Sequence, residues 1–208
     1  MPTISSNRPL WTYLGLLFLA AALVLWFSPA ERSLGTGIKS VYAHVALTWT
    51  GMTCLIAAGL LGLLATVSKR PALHAWLHAV GRVGMLFFTL GFATSLLSAK
   101  INWGAVFWGE PRIQASLRVV IAAAAVFLIA GSLRDRFRGL LYLALALFMI
   151  ASIYQATLVM HPRNPIGLSS SLQIKLTFVG LYLFLLAAAA LLAIAFRKAA
   201  NRIPTQRT

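Results

Sequence analysis

The chain has 208 residues, 60% of them hydrophobic and only 10% charged, with a mean hydropathy of +0.86. A soluble domain carries about 25% charged residues, so this composition excludes a water-soluble globule and makes lipid the solvent. The net charge of +15 comes from 18 Lys and Arg against 3 Asp and Glu, but no long basic run exists; cations at the ends of apolar stretches anchor helices and do not read as a nucleic-acid surface.

Arg8 precedes the first apolar run, roughly 10–27. No small-residue cleavage site follows it, so it reads as a retained helix and not a signal peptide. The second run, 40–67, opens with VYAHVALTW and contains Cys54, the single cysteine, which reads as a buried core residue. Segment 71–82 holds His74 and His78 at i, i+4 spacing, one helix face, where an interfacial amphipathic helix start is favoured over a metal site. The third run is 79–99, and an outer loop, INWGAVFWGEPR (101–112), follows. The fourth and fifth runs, 115–133 and 137–160, are joined by a tight hairpin around Arg134, Asp135 and Arg136. Tyr154 and Gln155 near the end of the fifth can hydrogen-bond a ligand or a neighbouring helix. The sixth run is 172–196, and the polar tail Asn201–Thr208 is expected to fray. About 20 residues span the hydrocarbon core, so each run is long enough to cross. The fold predicted is all-α: a single polytopic domain over residues 1–208, built as a six-transmembrane-helix bundle.

Loop charge orients the bundle. Arg8, Lys69, Arg70, Arg82, Arg134, Arg136, Arg138, Arg197, Lys198, Arg202 and Arg207 fall on the side of the N-terminus. Arg32, Lys39, Lys100, Arg112, Arg118, Arg163 and Lys175 fall on the other. The richer side is expected to be cytoplasmic, with both termini there. Arg118 and Lys175 lie close enough to the outer boundary to snorkel. Small residues in the second, fourth and sixth runs (Gly51, Gly59, Gly62, Ala122–Ala125, Ala187–Ala190) read as close-packing faces.

The outer side then collects the unusual residues. His44 opens the second helix, and His161 closes the fifth in LVMHPRNP (158–165). Two imidazoles at one membrane depth can ligate a haem iron axially. Trp103, Phe107 and Trp108 can cover its apolar plane, and Lys100, Arg112 or Arg163 can pair with its propionates. Gly104 and Gly109 allow close backbone approach. A closed zinc site wants four N, S or O ligands, which this face does not offer. The plainer alternative is a helix-end histidine and an aromatic belt.

These segments resemble the CcmC/CcsA-type haem-handling family of cytochrome c biogenesis. VYAHVALTW looks like the family's tyrosine–x–histidine–valine segment, and LVMHP takes the place of its second histidine segment. Trp103-Gly104 and Trp108-Gly109 look like the opening pairs of its tryptophan-rich WWD loop. The loop here runs directly into Glu110-Pro111-Arg112, without the family's further tryptophans and aspartate. The resemblance implies a non-covalent haem b held by His44 and His161 under the loop, with Arg112 matching the family arginine. It implies as partners haem, a haem chaperone or apocytochrome c, other cytochrome c assembly membrane proteins and the lipid bilayer, with no nucleic acid. The expected setting is a bacterial plasma membrane with the haem site facing outside. The expected role is a haem carrier or part of a ligation system; no GxSxG or Walker loop suggests hydrolase or kinase chemistry. Two other readings stay open: a haem-binding or structural subunit of a respiratory or photosynthetic electron-transfer complex, and a transporter. The last ranks third, because the helix centres are nearly free of charge.

Overall fold

A computed structural model describes residues 8–68, 70–156 and 165–200. Six helices run through them: α1 (Arg8–Trp26), α2 (Ile38–Val67), α3 (Pro71–Trp103), α4 (Pro111–Ala130), α5 (Asp135–Gln155) and α6 (Leu172–Ala200). All six are long and apolar enough to cross a bilayer, and the chain is an integral, multi-pass membrane protein. In lipid each backbone amide must be satisfied internally, which a continuous helix does.

The boundaries differ from the sequence reading where turn chemistry overrides hydropathy. Pro71 and Pro111 start α3 and α4 with a fixed φ already suited to a first helical turn. Thus α3 covers 33 residues and absorbs both the segment expected as a separate interfacial start and the tryptophan expected in the outer loop. It ends at Gly104, whose φ of 76° is left-handed and suits glycine, with its N–H donating to the Lys100 carbonyl at 3.0 Å. The predicted hairpin between α4 and α5 is short. Arg138 closes it by donating to the Ala130 and Leu133 carbonyls, both at 2.8 Å, while pairing with Asp135 at 3.0 Å. The Ala130 carbonyl is an orphan of the α4 terminus and the Leu133 carbonyl belongs to the turn, and a cation is the right partner at a helix C-terminus.

α2 is central, packed on α3 and α5 with α6 and α1 on its other side. Two apolar clusters flank the α2–α3 pair. One joins Ile38, Tyr42 and Phe87 to Leu181 and Leu185 of α6; the other joins Leu55 and Phe88 to Val119 of α4 and Met149 of α5. Phe87 and Phe88, adjacent on α3, are both under 3% exposed and feed opposite clusters. Glycines let the backbones approach. A Cβ at Gly51 would strike the Phe88 backbone, one at Gly91 that of Thr48, and one at Gly62 that of Gly139. The small-residue face expected on α2 therefore has partners on α3 and α5 that the sequence did not single out. Of the alanine runs, Ala123, Ala188 and Ala189 are buried, while Ala125 and Ala190 face outward.

The two N-terminal histidines of α3 are tied to α5. His74 Nε2 lies 4.0 Å from Asp135 Oδ2. The His78 ring meets the Tyr142 ring edge-on at 5.9 Å, with Tyr142 Oη 3.5 Å from Nδ1. Among the described residues no group of three or more His, Cys, Asp and Glu side chains converges. The pair joins helices at the end of the bundle opposite His44.

Candidate functional site

α2 begins, α3 ends, α4 begins and α5 ends at one end of the bundle, and a cavity of about 440 Å³ lies among them. Ligand sites typically span about 300–1,000 Å³. His44, half-buried in the second turn of α2, lines it, as do Trp103 from the last turn of α3 and Arg112 from the first turn of α4. Leu34, from the loop between α1 and α2, and Pro165 and Ile166, ahead of α6, also line it.

Polarity changes with depth. The upper wall carries His44, Ser95, Ser98, Glu110, Arg112 and Ser116. Deeper lie Met52, Phe88 and Ile153. Met52 is eight residues beyond His44 on a helix, about 12 Å further into the bundle. The cavity is therefore shaped for an amphiphile with a polar edge and a broad apolar body. Glu110 is 3% exposed and stands at the N-cap of α4. Its N–H donates to the Phe107 carbonyl at 2.9 Å, and its own carbonyl accepts from the Gln114 amide at 3.0 Å. Gln114 Nε2 also donates to the Trp108 carbonyl at 3.2 Å, bracing the short loop 104–110.

The structure thus brings His44, Trp103 and Arg112 to one cavity. Of the other loop residues it places Glu110 in the wall, but not the two aromatics or the two glycines. Trp108 is 59% exposed, Phe107 is exposed beside it, and neither lines the cavity. Gly104 ends a helix, and nothing stands within 4 Å of a Cβ at Gly104 or Gly109. His161 and Arg163 lie outside the described residues; Ile153 and Pro165, on either side of that segment, both line the cavity. Tyr154 is 83% exposed and faces away. The sequence reading missed Leu34, Ser95, Ser98, Ser116 and the apolar floor. Serines at i, i+3 within an apolar run were the available signal, since a hydroxyl facing lipid has no partner but its own helix.

A histidine, an arginine and an apolar floor in one wall fit a flat macrocycle that brings its own equatorial nitrogens and carries carboxylates at one edge. Such a group needs only one or two protein ligands for its metal. A bare ion would need more ligands than the described residues of this wall supply.

The chain is similar to a protein named heme exporter protein C from Haemophilus influenzae, 24% identical over 130 residues, which is 62% of this chain and 53% of that protein. It therefore spans about half the length of this curated relative. No family model matches the chain. The relationship is distant, and it supports the CcmC-type haem-handling family that the motifs resemble.

Proposed function

We propose that this chain handles haem for cytochrome c maturation, as a membrane carrier or as one member of a haem-ligation system. The observation that carries the reading is the convergence of His44, Trp103 and Arg112, from three different helices, on one cavity with an apolar floor. The name of the similar protein points the same way. Haem is cargo here, a non-covalent haem b. His44 offers an axial nitrogen, with His161 as the second ligand. Arg112 pairs with a propionate in a charge-assisted bond. Trp103 covers one edge of the ring, and the loop with Gly104, Trp108 and Gly109 stands where a partner docks.

None of these residues is a nucleophile. Their work is to hold, orient and shield. The partners proposed are a haem chaperone or apocytochrome c and other membrane proteins of cytochrome c assembly. Residues 1–208 act as one transmembrane domain in a bacterial plasma membrane, with the cavity on the outer side and the termini in the cytoplasm.

Haemin titration of the purified protein in mild detergent tests this. A Soret band that saturates at one haemin per chain is expected. His44→Ala should weaken binding by tenfold or more, about 1.4 kcal/mol, and His161→Ala should alter the band. No Soret band in the wild type, or bands unchanged in both variants, would refute the reading.

A further inference from the structure

The first turn of α2 and the last turn of α3 are joined by a polar cluster that stands behind the cavity wall. Asn102, one residue before Trp103, donates from Nδ2 to the Ser98 carbonyl at 2.9 Å and to Ser40 Oγ at 3.0 Å. The Gly37 carbonyl and Ser98 Oγ lie 3.3 Å from the same nitrogen. Ser40, one helical turn before His44, donates its hydroxyl proton to the Gly37 carbonyl at 2.7 Å. With that proton committed, its oxygen is left to accept, and Ser98 Oγ at 2.9 Å becomes the donor of their bond. The hydroxyl is then fully satisfied. Ser98 is 2% exposed and also lines the cavity. A Cβ at Gly37 would strike Asn102 Oδ1, so a larger residue there would push the Asn102 amide out of the cluster.

Apolar helix contacts in lipid have little hydrophobic driving force, and a directed hydrogen-bond cluster adds an angular constraint to the close glycine contacts between α2 and α3. Rotating the end of α3 swings Trp103, and rotating the start of α2 swings His44. We infer that Asn102, acting through Ser40 and Ser98, is a positioning residue that sets the His44 imidazole against the Trp103 ring across the cavity. Asn102 is not itself in the wall. The inference rests on the proposed haem-handling function and adds a residue that never touches the cargo. Supporting residues behind a metal ligand typically change affinity by about 10- to 100-fold.

The test is haemin titration of the full chain in detergent, with the reduction potential and circular dichroism of the same samples. Asn102→Leu is expected to weaken haemin binding about tenfold, shift the Soret maximum and move the potential, while helix content stays at the wild-type level. Ser40→Thr, which keeps the hydroxyl, should behave as wild type. Ser40→Ala should repeat the Asn102→Leu effect and serves as the second variant if Asn102→Leu does not fold. If wild type binds and the variants change only the unfolding midpoint, with affinity, Soret position and potential unmoved, the cluster is merely structural and the inference falls. If wild type itself shows no binding, the haem reading fails and takes the inference with it.

Discussion

The carboxylate of Glu31 accepts hydrogen bonds from the Ser33 hydroxyl, the Ser33 amide at 2.8 Å and the Leu34 amide at 3.0 Å. The Glu31 and Gly35 backbones pair across the same turn. The arrangement holds Leu34 in the cavity wall, and it is made to the ionised acid. Its folded pKa is therefore held below the ordinary 4.5, chiefly by the Ser33 hydroxyl and then by the Leu34 amide. A depressed acid contributes stability that is present above its unfolded pKa and is lost as pH falls through the folded one. Amide NMR shifts of Ser33 and Leu34 should stay constant near neutral pH and move only below the ordinary carboxylate range. Glu31→Gln should show the released shifts at every pH; a midpoint at or above 4.5 would contradict the turn. His44 and Arg112 were legible as chemistry-bearing residues because a histidine and an arginine at helix ends stand out in an apolar chain. Ser40 and Asn102 were not, since their meaning lies in one another and they are 62 positions apart.

Among the elements, the α2–α5 contact depends most directly on the absence of side chains. Gly62 and Gly139 face each other so closely that a Cβ on either meets the other's backbone. Gly62→Ala should cost about 1–3 kcal/mol, the usual range for overpacking. Gly15→Ala, on α1 with nothing within 4 Å of the added atom, should stay within about 0.5 kcal/mol. Unfolding midpoints of the two variants in detergent check this, and equal losses would mean that α2 and α5 do not touch there. Helix number and kind were readable from the apolar runs alone. Helix ends were not readable from hydropathy, because Pro71, Pro111 and Gly104 act through backbone geometry and not through polarity. Reading Pro at a first turn and Gly past a last turn as caps would have moved Trp103 onto α3 in advance.

At the scale of the molecule, orientation is the property that gives the cavity its biological side. The excess of Lys and Arg on the His74 end predicts that this end is cytoplasmic. In a Cys54→Ala background, Gly109→Cys should react with a membrane-impermeant maleimide in intact cells. Ser132→Cys, in the opposite α4–α5 turn, should react only after the membrane is opened; the reverse pattern would invert the topology. The sequence by itself determined the solvent, the number of apolar helices and that His44, Trp103 and Arg112 share an end, because hydropathy and helix length are local and the bilayer imposes them span by span. Only the tertiary structure decided that His44, Trp103 and Arg112 share a cavity, that Phe107 and Trp108 stand outside it, and that Asn102 joins the turns behind it. Those outcomes depend on how far each helix turns about its own axis, and that rotation is settled by glycines and hydroxyls meeting across helices distant in the chain.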